Sequence, residues 1–311
     1  MKLPDPTPVS AEALSAIATR HGLRFDRAEV LIPAGIINTT YAVSSRHVLR
    51  VPRAHAAFVK DAFREAAAIP VARAAGVRTP ELVAFDDACD ILPVPYLITE
   101  RIDGVNLESL GVSRAPLHVW LELGRDLARV HASPGQRPPG GLDRGPNEYR
   151  GDPRPLVESR AMDGWISAHE ARWLLGWLDR LAPATTGMTL VDRFIHGDVQ
   201  MSNVLVDADG GAYGAMIDWG CAGLGDPVTD FVAVPMRAVP PLLEGHREVA
   251  PLESDGTAEA RIIWQRLHLI FRVMPRGPAA GTSWGERPIA WLADLLRFFV
   301  DPPPGWRQLG P

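Results

Sequence analysis

At 311 residues the chain is too long for one small core and too short for three ordinary domains, so two lobes are expected. A hydrophobic fraction of 46% gives ample core, and a net charge of −5 carries no nucleic-acid footprint. No run of eighteen apolar residues occurs, which argues against a membrane span, and the proline-rich, polar stretch Met1–Ser10 has no apolar segment of the secretory kind. Cys89 and Cys221 stand far apart without metal-ligand spacing, so no disulfide framework and a cytoplasmic location are expected. The only lysines are Lys2 and Lys60, so nearly every basic side chain is Arg.

In chain order, Ser10 can cap a helix through Ala11–Arg20 that stops near Gly22. Strands follow at Val30–Ile32, Asn38–Val43 and Val48–Val51, with turns at Pro33–Gly35 and Ser44–His47. The alanine-rich stretch Ala56–Ala75 has helical composition, although Pro70 is expected to bend or divide it. Leu82–Phe85 and Tyr96–Thr99 read as strands around an Asp-rich turn, and Glu100–Gly104 as a hinge. Helical periodicity resumes over Pro116–His131; Ser133–Pro155, rich in Pro, Gly and Arg, reads as an irregular loop. Trp165–Leu181, Ala258–Val273 and Ile289–Val300 are further helices, with Trp173 and Trp177 expected in the core.

The chemistry concentrates between these elements. His196-Gly197-Asp198 with Asn203 has the Asp-x4-Asn spacing of a kinase catalytic loop, in which the Asp takes a hydroxyl proton and the Asn holds metal. Asp218 ends another apolar run fifteen residues after Asn203, as suits a second metal ligand on the far arm of a hairpin. Phosphoryl transfer needs these parts together, because metal must neutralise a triphosphate while one carboxylate stays available to orient the attacking oxygen. His-Gly-Asp alone would be only a turn.

Gly225-Asp226-Pro227 with Asp230 continues the pattern. On His196-Gly197-Asp198, Asn203, Ile217-Asp218-Trp219 and Gly225-Asp226-Pro227, the chain resembles the aminoglycoside phosphotransferase family, with weaker matches from about residue 20 to about residue 235. The resemblance implies an α+β, bilobal protein kinase-like fold. Its small, mostly antiparallel N-lobe would span 1–102, and its larger, mainly helical C-lobe 103–311. It further implies Asp198 as catalytic base, Asn203 and Asp218 as Mg2+ ligands, and Asp230 as a brace for the catalytic loop. Asp226 and Asp230 also fit a Gly-Asp-Pro turn leading into a helix cap, a structural role.

Residues 34–40 occupy the place of the nucleotide-covering loop, where backbone N–H groups near Gly35, with Asn38 or Thr39, would meet phosphate oxygens. The loop lacks a G-x-G-x-x-G sequence, and alone it would be an ordinary turn. Arg50 stands where a kinase usually has Lys; its guanidinium keeps the charge and can bind phosphate bidentately, with Glu65 on the next helix as its expected partner. Glu100 and Ile102 in the interlobe linker are the expected main-chain contacts to the base.

The implied activity is transfer of the γ-phosphoryl group of ATP or GTP to a hydroxyl of an antibiotic, conferring resistance. The acceptor classes in question are an aminoglycoside, a macrolide or another sugar-bearing drug. A metabolite kinase acting on a sugar or amino alcohol, and a nucleotide-binding module with little catalysis, stay open. No nucleic-acid or membrane partner is expected. From Pro240 onward eight acidic and eight basic residues balance, which does not favour a polycationic acceptor. Trp165, Trp264, Trp284 and Trp291 are mostly expected in the core, with one or two as a wall for a bulky acceptor.

Overall fold

The structure, a computed structural model, describes residues 4–31, 37–111, 116–132, 149, 151–186, 191–276 and 288–311. Helix α1 (Ala11–Arg20) is capped by Ser10, whose hydroxyl accepts the Ala13 N–H, and it ends before Gly22 at φ +63°. Strands β1 (Glu29–Val30), β2 (Asn38–Ala42) and β3 (His47–Pro52) form an antiparallel meander. Helix α2 (Ala56–Ala74) follows, then β4 (Leu82–Asp86) and β5 (Tyr96–Glu100), completing one antiparallel sheet in the order β1-β2-β3-β5-β4. Pro70 does not divide α2. Its ring is exposed, and the helix runs nineteen residues because burial of Ala68, Ile69 and Ala72 outweighs the one backbone hydrogen bond lost.

Beyond the sheet come β6 (Val105–Asn106), α3 (Leu107–Leu110), α4 (Leu117–Ala132), α5 (Arg154–Met162) and α6 (Ala168–Leu181). Strands β7 (Arg193–Ile195), β8 (Val204–Val206), β9 (Tyr213–Met216) and β10 (Gly223–Gly225) carry the kinase-like motifs, with β6-β8-β9 in one small sheet and β10-β7 in another. Helices α7 (Val239–Val249), α8 (Ala258–Val273) and α9 (Pro288–Phe298) complete the described elements. Both α5 and α7 are absent from the sequence reading. Each opens among prolines, which serve in a first helical turn because those N–H groups have no intrahelical acceptor. The loop expected over Ser133–Pro155 lies mostly outside the described residues, and its end belongs to α5.

Two apolar cores explain the two lobes. Ile17, Val43, Leu49, Val51, Tyr96 and Ile98 pack on one face of the five-stranded sheet. A larger core joins α4 and α6 to α9 with the hairpin strands. It also takes Ala68, Ile69 and Ala72 from α2, so that helix is anchored to both lobes. Trp177, Trp264 and Trp291 are buried, whereas Trp165 and Trp173 are exposed. Trp173 therefore departs from the expected core position, and Trp264 and Trp291 are withdrawn from any acceptor wall; Trp284 lies outside the described residues.

Candidate active site

Strand β7 delivers His196, and the chain then turns at Gly197, with φ +78°. A Cβ there would stand 2.3 Å from the Cys221 carbonyl oxygen, so backbone conformation and space both require glycine. The buried Asp230 carboxylate accepts the N–H groups of His196 (2.9 Å) and Gly197 (2.7 Å). Burial opposes its charge, but these donors and the hydrogen bond from His131 hold its pKa below the usual carboxylate value. His196 Nδ1 accepts the Asp198 N–H at 3.2 Å, so Nε2 carries the proton and donates to Ile217 O at 3.0 Å. One neutral, buried ring thus ties the His196–Asp198 turn to the end of β9, and burial lowers its pKa.

Asp198 Oδ2 accepts two amide donors, Asn203 Nδ2 and Gln200 Nε2, each at 3.0 Å. Burial, reinforced by the Asp218 charge, pushes the Asp198 carboxyl up to about 7. Asn203 Nδ2 also donates to Asp198 O at 2.9 Å, and Asn203 O accepts the Ile217 N–H at 2.9 Å. The amide therefore turns its nitrogen to Asp198, which leaves its oxygen able to face a cation. Asp218 adopts φ +67°, ψ +67°, a left-handed conformation that Asp tolerates better than most residues and that is often found at functional sites. Trp219 fixes this turn: it is buried, stacks on Phe194 and donates from Nε1 to Thr79 Oγ1 at 2.8 Å.

Among the described residues no group of three or more His, Cys, Asp or Glu side chains could hold a metal. Asn203 and Asp218 supply hard oxygen donors and only a partial shell. That donor set fits Mg2+, which takes its remaining ligands from phosphate and water.

Arg50 lies between two carboxylates. Its Nη2 donates to Asp218 Oδ1 at 2.8 Å, and its Nε stands 3.2 Å from Glu65 Oε2. The second contact is a charge pair without hydrogen-bond alignment, since neither Nε nor Oε2 has a hydrogen-bond partner. Burial pushes the Glu65 carboxyl up against the pull of Arg50, while burial of Arg50 is outweighed by Glu65 and Asp218, which raise its pKa. The sequence-expected pair is therefore in contact, and Asp218 joins it.

The cleft around these groups is lined by Thr40, Val48, Arg50, Glu65, Glu100 and Ile102, with Leu31, Gly104, Leu205 and Ile217. Strand alternation explains which side chains face it. Arg50 and its cross-strand partner Thr40 point to the cleft, while Leu49 and Val51 point to the core. Thr39 pairs with Val51 and is buried, so Thr40 takes the lining position expected of Thr39. Asn38 shares the parity of Thr40, and its buried Oδ1 has no hydrogen-bond partner among the described residues. Gly35 lies outside the described residues. The Glu100 N–H is committed to Glu81 O at 2.9 Å. Gln200 escaped the sequence reading because it sits in the unspecified part of Asp-x4-Asn; of the two threonines in residues 34–40, the β2–β3 alternation could have identified Thr40 over Thr39.

The family model for the phosphotransferase enzyme family matches residues 29–279. No curated protein matches the chain at a significant level. In fold the chain is similar to wild-type aminoglycoside 2'-phosphotransferase-IIIa in its GDP complex, at 17% identity over 91% of this chain and 97% of that one, with a TM-score of 0.66. It is also similar to apo macrolide 2'-phosphotransferase MphH from Brachybacterium faecium, at 20% identity over 94% and 99% of the two chains, TM-score 0.62. A third structure, the ternary complex of streptomycin, ATP and APH(2")-IIa, matches at 13% identity over 93% and 97%, TM-score 0.55. At such identities the likeness carries the fold: α+β, bilobal and protein kinase-like.

Proposed function

The chain belongs to the phosphotransferase enzyme family, and from that premise we propose that it transfers the γ-phosphoryl group of ATP or GTP to a hydroxyl of a sugar-bearing antibiotic, an aminoglycoside or a macrolide. The observation that carries this reading is the hydrogen-bonded pair of Asp198 and Asn203 near Asp218, which with Arg50 and Glu65 lines a cleft between the two cores. Asn203 Oδ1 and the Asp218 carboxylate would hold Mg2+, whose chemistry when bound is to neutralise triphosphate charge. The acceptor hydroxyl hydrogen-bonds to Asp198 Oδ1, because Oδ2 is already held by two amides. Its oxygen bonds to the γ-phosphorus as the β–γ bridging P–O bond breaks. The proton passes to Asp198, and the nucleoside diphosphate leaves. Arg50 meets the phosphates from β3, and the main chain of Glu100 and Ile102 meets the base. The lobes divide between residues 102 and 103 in this reading, and the enzyme acts in the cytoplasm. Phosphate added to the drug brings bulk and charge where target binding needs a neutral hydroxyl.

Neighbours in fold act on aminoglycosides and on a macrolide by their names, and both acceptor classes belong in the test. Purified protein is incubated with Mg2+ and ATP or GTP against aminoglycosides, macrolides and glycosylated nucleosides, and products are read by mass spectrometry beside an Asp198→Asn control. A phosphorylated drug absent from the control is the expected result. Asp198-dependent nucleotide turnover without any modified drug would overturn the antibiotic assignment in favour of a metabolite acceptor. No Asp198-dependent turnover with either nucleotide would overturn the catalytic reading.

A further inference from the structure

A chain of buried hydrogen bonds leads from the catalytic loop into the α4–α7 pair, and the transfer chemistry does not use it. Asp230, which accepts the two amides before Asp198, also accepts from His131 Nε2 at 2.9 Å through Oδ2. His131 Nδ1 is 2.9 Å from His246 Nε2, and His246 Nδ1 is 2.9 Å from Ala250 O. Asp230, His131 and His246 are 0%, 5% and 2% exposed, so water is no substitute partner.

The partners dictate the protons. A carbonyl oxygen can only accept, so His246 Nδ1 carries hydrogen. Burial, then the neighbouring His131, drives the His246 pKa down to about 3; this ring is neutral and its Nε2 is a lone pair. His131 Nδ1 must then donate to it, while His131 Nε2 donates to the Asp230 carboxylate. The charged or titratable groups facing the pair are Asp230 and His196 from the catalytic side and Arg247 on α7. The first supplies the negative charge that a doubly protonated His131 needs. With Nε2–H on His131 and Nδ1–H on His246, the hydrogen between His131 Nδ1 and His246 Nε2 is a third ring proton, so the pair carries one positive charge, and the low His246 pKa places it on His131 beside Asp230.

We propose that His131 is an imidazolium in the resting protein and that His131 and His246 are positioning residues, holding Asp230 against the His196 and Gly197 amides and so fixing Asp198. The positioning half rests on the phosphotransferase reading; the protonation half does not.

The test starts with 15N-histidine-labelled full-length protein without nucleotide near neutral pH, with signals assigned through His131→Asn and His246→Gln. Two protonated ring nitrogens on His131, and Nδ1–H alone on His246, are expected. An unprotonated ring nitrogen on His131 would overturn the protonation state whether or not any acceptor is ever found. Turnover then tests positioning. His246→Met fills the space without an acceptor and should lower kcat about tenfold or more with nucleotide KM little changed, as small displacements of catalytic groups do. His246→Gln can accept from His131 and donate to Ala250 O, and should recover most of that loss. Wild-type kcat in folded H246M, or H246Q as slow as H246M, would overturn the role. If H246M fails to fold, the spectrum and a slow H246Q still decide.

Discussion

At the residue scale, Asp198 is expected to combine function with a cost in stability. Burial, reinforced by the Asp218 charge, holds the carboxyl near pKa 7 against the pull of its two amide donors, above the ordinary Asp value. Protonation disables a base, so kcat/KM should fall as pH drops below about 7, approaching tenfold per unit. Asp198→Asn should lower kcat by about 10²–10⁴-fold while nucleotide binding persists; near-wild-type turnover in the folded variant would reject the assignment. The linkage sign follows from the raised folded pKa. Between about pH 4 and 7 the native state binds the extra proton, so the wild type loses stability as pH rises through that window. Without Mg2+ at pH 8, Asp198→Asn should therefore melt higher, by ~2–4 °C per kcal/mol of relief, and the difference should vanish near pH 4. Calorimetry at both values checks this. Arg50 is the counterpart cation. Arg50→Ala leaves the Glu65 side chain, 3% exposed, without its partner, and should cost about 3–5 kcal/mol in urea unfolding. The double variant with Glu65→Ala should be less than additive. Arg50→Lys should retain part of the nucleotide use, since charge survives and the fork is lost. Unchanged nucleotide kinetics in Arg50→Ala would make it an ordinary strand residue.

At the element scale, the α4–α7 contact is set by two glycines. A Cβ at Gly124 would stand 2.0 Å from Leu242 O, and one at Gly245 would stand 2.0 Å from Leu121 O. The helices meet backbone to backbone, and this approach lets His131 reach His246. Gly245→Ala must push the axes apart, and a cost of about 1–3 kcal/mol in chemical denaturation is expected, as for an overpacked core. Wild-type stability in Gly245→Ala would show that the pair can slide. The neighbouring turn over Pro227–Phe231 is held similarly tightly: Asp226 caps it through the Val228 N–H and also accepts from Arg261 and Gln265. Asp226 is structural, as the Gly-Asp-Pro turn implied.

At the scale of the whole molecule, the cleft lies between two separate cores, and α2 spans them. A nucleotide bound there contacts both lobes and should stabilise them jointly, by about 2.7 kcal/mol at a hundredfold excess over Kd. Much of that gain should require Mg2+. Asp218→Ala should abolish the Mg2+-dependent increment in Tm and raise the metal requirement for turnover, with Asn203→Ala milder. An unchanged Mg2+ dependence in both variants would remove Asn203 and Asp218 from the metal site. Among the described residues no helix is long and apolar enough to cross a membrane.

Whatever is local or carried by short-range order was legible from the residues alone. The spacing of Asp198 to Asn203 lies within one loop, the Ser10 cap within one turn, and the strand periods within single strands. The sequence also placed Arg50 and Glu65 on adjacent elements, close enough for their pairing to be expected. Tertiary structure alone decided what depends on contacts remote in the chain. Asp218 reaches Arg50 across 168 positions, His131 reaches Asp230 across 99, and His131 reaches His246 across 115. Thr40 instead of Thr39 faces the cleft because register against β3 selects the face. Pro70 sits inside an unbroken helix, and α5 and α7 begin among prolines. Local propensity is a weak term there beside the burial of Ala68, Ile69 and Ala72 and of Leu242 and Leu243 in a core that a one-dimensional pattern does not contain.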